Sequence, residues 1–197
     1  MHFKNLIITA HPDDEVIGCS GVLLQEPNET LVVCLGVCEF NRVNVTQELS
    51  KELGFRYLNL ETSKILEFDT IGVQKILKPL EILKGKYTFE YVYSHYSDDL
   101  HQDHQAISKA VDIFVRPSRN PEIKGYLQYF TDNTFPQGSL VVRGVSELQK
   151  LRLLNKYQIP ASHFRHIINV NKVTASMYGF KELAEPFLVR FLKFSPQ

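Results

Sequence analysis

Nearly unbroken apolar runs alternate along the chain with segments in which apolar residues recur at helical spacing. Residues 6–10 (LIITA) and 30–35 (TLVVCL) are runs of the first kind, which is typical of parallel strands buried on both faces. Between them, residues 16–24 group apolar side chains around small residues and are predicted to form a helix. A strand, a helix and a strand within about 30 residues predict a right-handed βαβ unit and hence a parallel sheet.

The same alternation continues through the rest of the chain, without an internal repeat or a linker-like segment. We therefore predict one domain spanning residues 1–197, an α/β fold with a Rossmann-like core in which a mostly parallel sheet carries helices on both faces. Pro79 is expected to kink or break the helix that contains it. The further predicted helices are residues 45–53, 71–83, 103–115, 147–154 and 173–180, and the further predicted strands are residues 55–60, 90–94, 124–129, 140–142 and 188–194.

The first chemical motif, His11-Pro12-Asp13-Asp14-Glu15, directly follows the first strand. Pro12 keeps His11 out of the helical region and cannot donate to a strand ladder, so the strand should end here. Three carboxylates then occupy the first turn of the next helix, where the positive end of the helix dipole tolerates them. An imidazole and carboxylates at the carboxyl end of a buried strand predict a site for a divalent cation. The alternative is an acidic helix start that binds no metal.

The second motif, Asp99-Leu100-His101-Gln102-Asp103-His104, also follows an apolar run and precedes a predicted helix. His101 and His104 are three residues apart, so on a helical turn they share a face. The carboxyl ends of parallel strands meet at one edge of a sheet, so two half-sites about 90 residues apart can come together there. The four candidate ligands are His11, Asp14, His101 and His104, with Asp13 and Asp103 beside them.

Composition and charge argue against several classes of protein. Apolar residues make up 44% and charged residues 22% of the chain, as in ordinary globular proteins. Twenty-two basic residues balance 22 acidic ones, which argues against a nucleic-acid-binding protein. No apolar run approaches the roughly 18 residues of a membrane-spanning helix, and the first ten residues lead straight into the first motif, so we expect neither a membrane span nor a signal peptide. The cysteines, Cys19, Cys34 and Cys38, are interpreted as buried reduced thiols rather than a metal pair, and the predicted location is the cytoplasm.

Together, the two motifs resemble those of the LmbE-like (PIG-L-type) family of zinc-dependent N-acetylglucosaminyl deacetylases. The resemblance rests on His11-Pro12-Asp13-Asp14-Glu15 with Gly18-x-x-Gly21, on Asp99-x-His101-x-Asp103-His104, and on Ala184-Glu185-Pro186-Phe187, which is similar to that family's closing strand. It implies a Rossmann-like fold and a small-molecule substrate, an N-acetylated amino sugar or its conjugate. It also implies a catalytic zinc ion, or another divalent metal such as Fe²⁺, held by His11, Asp14 and His104.

The resemblance also supports roles for the residues beside these ligands. Zinc lowers the pKa of bound water toward about 7 and polarises an acyl oxygen. Asp13 then suits the role of general base, because neighbouring side chains point in different directions and Asp13 cannot easily share the ion with Asp14. His101, as an imidazolium, would stabilise the oxyanion and protonate the leaving amine. Asp103 would hold a catalytic imidazole in its useful tautomer. The alternatives are a helix-capping role for His101 and for Asp103.

The chain departs from the family pattern where relatives contact substrate. Relatives often carry an arginine and a glutamate after the second strand; here Arg42 is the nearest match and is predicted to contact the substrate. The Ser-Gln pair that usually follows the late helix is replaced by residues 157–160 (YQIP). Residues 131–138 are a predicted loop, long enough to overhang the site.

Two other functions remain open at this point. A non-haem iron enzyme uses two histidines and one carboxylate as ligands, although normally on an antiparallel β scaffold. A non-catalytic protein that binds a sugar conjugate or a metal could share the fold, although it would not need both the ligands and the acid–base groups. The sequence is also compatible with a homo-oligomer.

Overall fold

Strand β1 (His2–Thr9) lies in the interior of the sheet, as its apolar run predicts. The computed structural model describes residues 1–37, 40–64, 67–116, 120–131, 138 and 140–193. The other strands are β2 (Thr30–Val37), β3 (Arg56–Lys64), β4 (Thr88–His95), β5 (Gly125–Tyr129), β6 (Leu140–Val145) and β7 (Leu183–Leu192). The helices are α1 (Asp14–Gln25), α2 (Phe40–Leu53), α3 (Phe68–Ile71), α4 (Val73–Lys84), α5 (Gln102–Phe114), α6 (Glu147–Lys156) and α7 (Ala161–Tyr178), and a 3₁₀ turn spans Pro27–Glu29.

The seven strands form one sheet in the order β3-β2-β1-β4-β5-β7-β6. The pairs from β3 to β5 are all parallel, whereas β7 runs antiparallel to both β5 and β6. The prediction of an α/β fold with a mostly parallel sheet is therefore confirmed.

Helices cover both faces of this sheet. Alternate residues of β1 point to opposite faces, because successive side chains of a strand do so. Leu6 and Ile8 pack with α3, α4 and α5 in one apolar cluster. Ile7 packs with α1, α2, α6 and α7 in a second cluster on the other face.

The strand order reverses next to β1, and this reversal positions the site. From β1 the chain passes to β2 on one side, and it later returns to β4 on the other side. In an open parallel sheet, such a switch point leaves a crevice beyond the carboxyl ends of the two strands. The first motif follows β1 and the second follows β4, so both half-sites lie at this crevice.

The predictions were wrong for the end of the chain. Helix α7 begins at Ala161 rather than near residue 173, because a buried polar residue, Asn171, interrupts its apolar stripe before the predicted start. Strand β7 begins at Leu183 rather than at 188, because its buried Glu185 does not look like a core residue. The segment 184–187 that resembles the family's closing strand does lie in β7.

Helix α4 continues through Pro79, so the predicted break at this residue is wrong. Pro79 has no N–H to donate to the carbonyl of Lys75, four residues earlier. Lys75 is exposed, so water can donate to that carbonyl instead. None of the helices in the described ranges is long and apolar enough to cross a membrane. Most of the predicted overhanging loop (132–137) and Cys38 lie outside the described residues.

Candidate active site

Three of the predicted ligands point their polar atoms into one corner of the crevice. Nδ1 of His11 lies 3.5 Å from Oδ2 of Asp14. Nε2 of His104 lies 3.5 Å from Oδ1 of Asp14 and 3.3 Å from Nδ1 of His11. All three residues are buried, with exposed fractions of 9% or less. The structure thus brings together two loops that are about 90 residues apart in the sequence.

Carboxylates behind this corner fix which ring nitrogens carry protons. Oδ2 of Asp103 lies 3.1 Å from Nε2 of His11, and Oδ2 of Asp99 lies 3.1 Å from Nδ1 of His104. A neutral imidazole that donates from one nitrogen keeps a lone pair on the other. Nδ1 of His11 and Nε2 of His104 therefore present lone pairs to the corner that they share with Asp14.

The donor set fits a small divalent cation. Zinc bonds of 2.0–2.2 Å in tetrahedral geometry place ligand atoms about 3.4 Å apart, which agrees with the 3.3 Å between the two ring nitrogens; each nitrogen lies 3.5 Å from a different carboxylate oxygen of Asp14. Two imidazole lone pairs and a carboxylate this close repel one another unless a positive charge lies between them. Burial lowers the pKa of His104, but Asp14 and Asp99 outweigh it and raise that pKa overall, so the local field favours positive charge.

His95 belongs to the site, although the sequence analysis did not place it there. It is fully buried at the end of β4, and its ring stacks on that of His104 with centroids 3.8 Å apart. Two groups in the described part of the chain have ligand atoms close enough to hold a metal: His11 with His101 and His104, and Asp14 with His95 and His104. However, Nε2 of His95 already accepts the backbone N–H of Ala10 at 3.0 Å and lies 3.2 Å from the hydroxyl of Tyr129. That lone pair is engaged, which favours His11 over His95 as the third ligand.

His101 caps helix α5 and faces the ligands at the same time. Its Nδ1 accepts the backbone N–H of Asp103 at 3.2 Å, so the neutral ring carries its proton on Nε2. The ring stacks on His104 and contacts His11, with centroids 4.6 and 4.9 Å apart. His101 is therefore both the predicted helix cap and a neighbour of the candidate metal corner. Asp103 does not cap the helix; its side chain bonds His11 and the backbone N–H of Phe68.

Asp13 lies next to the corner with a strained backbone. Its φ of 121° is a conformation that residues other than glycine rarely adopt. Its backbone N–H donates to Oε2 of Glu15 at 3.0 Å. The other oxygen of Glu15 accepts the hydroxyl of Tyr157, which also lies 2.7 Å from Oγ1 of Thr46. Burial raises the pKa of Glu15 to about 7. This buried network fixes the turn that carries Asp13.

Arg42, the predicted substrate contact, binds Asp13 directly. Its Nη1 donates to Oδ2 of Asp13 at 2.8 Å, and its side chain is about half exposed (46%). The structure therefore places Arg42 at the open side of the crevice, beside the predicted general base.

A buried ion pair holds a break in α1, the helix that carries Asp14. The helix loses helical geometry at Cys19, so Ser20 and Gly21 cannot donate to the usual carbonyls four residues earlier. Glu185 accepts both of these N–H groups, at 3.0 and 2.8 Å. Lys150 bonds Glu185 at 2.6 Å and donates to the carbonyl of Ile17 at 2.7 Å. Both side chains are almost completely buried, and neither stood out in the sequence as part of the site's support.

Comparison with solved structures identifies the fold. The conserved protein TT1542 from Thermus thermophilus superposes with a TM-score of 0.75 at 20% identity, covering 98% of this chain and 97% of that one. GalB, the 4-carboxy-2-hydroxymuconate hydratase of Pseudomonas putida KT2440, gives 0.72 at 15% identity, covering 99% of each chain. The A40926 pseudoaglycone deacetylase Dbv21 gives 0.72 at 15% identity, covering 98% and 99%. At these identities the likeness concerns the fold alone.

Comparison of sequences identifies the family. No curated protein sequence matches the chain significantly. The sequence profile of the PIG-L family, described as GlcNAc-PI de-N-acetylase, matches residues 6–115. This range is more than half of the chain and contains both motifs and every candidate ligand described above. The chain therefore belongs to the PIG-L (LmbE-like) family.

Proposed function

We propose that the protein is a metal-dependent hydrolase, with zinc as the expected metal, that removes the N-acetyl group from an N-acetylated amino sugar or its conjugate. One observation carries the proposal: the lone pairs of His11 and His104 and the carboxylate of Asp14 converge to 3.3–3.5 Å, with Asp13 and His101 beside them. Family membership supports the same reaction. When bound, zinc supplies Lewis acidity, which activates water and polarises an acyl oxygen.

Each neighbouring residue has a separate role in this proposal. Asp13 takes the proton from the attacking water, because a carboxylate beside the ligands that is not itself a ligand can act as general base. The neutral ring of His101 directs its Nε2–H at the developing oxyanion as a hydrogen-bond donor, because its Nδ1 already accepts the backbone N–H of Asp103. The proton that Asp13 takes from water is then the one returned to the leaving nitrogen. Asp103 and Asp99 hold the rings of His11 and His104 in the tautomers that bind a metal.

The fold by itself does not select this reaction, because a hydratase and deacetylases share it. The test is release of acetate from a panel of N-acetylglucosamine conjugates by the zinc-loaded chain, with a parallel assay for the free amine. We expect acetate and amine in equal amounts, loss of both after chelation, and recovery on adding zinc.

Two variants test whether acetate release depends on the proposed general base. Asp13→Asn should slow release by about 10²–10⁴-fold, whereas Asp98→Asn, a matched change at an exposed aspartate near the second motif, should not. Binding of a conjugate without acetate release would favour the non-catalytic alternative. Oxygen-dependent turnover with Fe²⁺ would favour the iron enzyme.

A further inference from the structure

Helix α7 and the residues directly after it carry half of the large apolar side chains that the fold leaves in solvent. Eight such side chains are exposed in the described part of the chain, and four of them fall within residues 173–180. They are Val173, Met177, Tyr178 and Phe180, with Met177 the most exposed at 62%. Single exposed apolar residues are ordinary on a protein surface, whereas a group of them marks an interaction site.

The apolar residues on the outer side of α7 have the spacing of a helix-pairing seam. Val170, Val173 and Met177 are separated by three and four residues, and His166 lies four residues before Val170. This four-three-four spacing is that of the a and d positions of a coiled coil. Val170 is partly exposed and the other three are exposed, so the whole seam is accessible from outside the fold.

The seam is not the side on which α7 packs against its own fold. Ile168 belongs to the apolar cluster that α7 shares with α1, α2 and α6. Val173 is five residues further on, which places it about 140° around the helix from Ile168. An ordinary surface helix presents charged residues on such an outer side, as α4 does with Lys78 and Glu81. In α7 this side is apolar, which is typical of a helix that packs against a further element.

The residues beside the seam favour a second copy of the same helix as that element. The exposed positions next to the seam, Asn169 and Ser176, are short and uncharged. Lys172, further round the helix, pairs with Glu147 of α6 at 2.7 Å. Two such helices can therefore pack antiparallel without placing like charges opposite each other. In a two-fold dimer the same patch serves both copies, so a seam that is compatible with itself is the requirement.

We propose that two copies of this chain associate through α7, packed antiparallel about a two-fold axis near Val173. This arrangement sets each Val170 against the Met177 of the other copy and does not depend on the proposed reaction. A contact limited to one helix of 18 residues, about 27 Å long, belongs with the small interfaces, below about 1,200 Å² in total, that are typical of weak complexes. We therefore expect a dimer that dissociates in the micromolar range.

The test is sedimentation velocity of the full chain over a concentration series that spans the micromolar range. We expect a concentration-dependent shift from monomer to dimer. Val173→Asp and Ser176→Glu should each raise the dissociation constant by about tenfold or more, because each places a carboxylate in the contact of both copies. Ile82→Asp is the matched control, since Ile82 is an exposed isoleucine of α4 on the other face of the sheet, and it should leave the constant unchanged.

Cross-linking tests the position of the axis separately. A residue near a two-fold axis lies close to its own counterpart, so Val173→Cys should give a covalent dimer with a short bismaleimide, whereas Ile82→Cys and the unchanged chain should not. A chain that stays monomeric throughout the series would overturn the proposal. So would a dimer that Val173→Asp and Ser176→Glu leave intact while thermal unfolding shows both variants folded. Binding of a monomeric chain to phosphatidylserine vesicles that is lost in Val173→Asp would also overturn it, by assigning the seam to a membrane surface.

Discussion

Replacing Lys150 by methionine should show how much the buried Lys150–Glu185 pair at the break in α1 contributes to the free energy of unfolding. Lys150→Met removes the cation that bonds Glu185 and the carbonyl of Ile17, and leaves a carboxylate at 1% exposure without its counter-ion. Breaking a buried pair in this way costs about 3–5 kcal/mol. For a chain of this length that corresponds to a fall in Tm of roughly 6–20 °C.

The sign of the pH dependence follows from Glu185. Burial raises its pKa and Lys150 opposes the rise, with a net shift upward. Without Lys150 the pKa of Glu185 in the folded variant rises further. At pH values between the ordinary pKa of about 4.3 and this raised pKa, the folded variant keeps a proton on Glu185 that the unfolded chain has released. The folded variant therefore loses stability as the pH rises from that value through the raised pKa. At pH 5 the loss should shrink toward the about 1–3 kcal/mol expected for an unsatisfied backbone carbonyl.

Urea unfolding at pH 7.5 and pH 5 measures both quantities, provided that the m-values of the two proteins agree. Lys156→Met is the matched control, since Lys156 lies on the same helix and pairs with Glu52 at the surface. An exposed pair contributes only about 0–1 kcal/mol. A cost for Lys150→Met as small as that of the control, or one that does not change with pH, would refute the reasoning.

Three further predictions concern the site itself. Asp13→Asn should keep zinc bound, as checked by metal analysis, while lowering kcat by about 10²–10⁴-fold; loss of zinc would instead make Asp13 a ligand. Asp103→Asn should weaken zinc binding by about 10–100-fold in a competition titration, because the amide no longer fixes the ring of His11 as a carboxylate does; unchanged affinity would contradict that role. Tyr157→Phe should cost about 1–3 kcal/mol in urea unfolding of the zinc-free protein, because the buried carboxylate of Glu15 loses a donor; a change below about 0.5 kcal/mol, typical of surface positions, would show that the bond contributes little.

The local sequence predicts the centre of this fold well, for a physical reason. The apolar runs of β1 and β2 are long enough to bury both faces of a strand, and the βαβ spacing leaves only a parallel arrangement. Both motifs follow strands that end at the same edge of the sheet, so the meeting of His11, Asp14 and His104 could be predicted without coordinates.

What the sequence could not reveal depends on contacts between distant segments. Lys150 and Glu185 are charged residues whose burial makes sense only because a break in α1 leaves backbone groups to bond. The role of His95 depends on the N–H of Ala10 and the hydroxyl of Tyr129, which follow or belong to two other strands. One signal was available, since His95 follows the predicted strand 90–94 at the same edge as the second motif. Similarly, the helical pattern before residue 173 is hard to recognise because Asn171 is polar yet buried, and its burial depends on what packs against α7.

The most direct test of the proposed metal centre is an anomalous-difference map from crystals of the zinc-loaded protein. We predict one ion per chain, bonded to Nδ1 of His11, a carboxylate oxygen of Asp14 and Nε2 of His104. An ion bound instead by His95 or His101, or two rings too far apart to share one ion, would contradict this assignment.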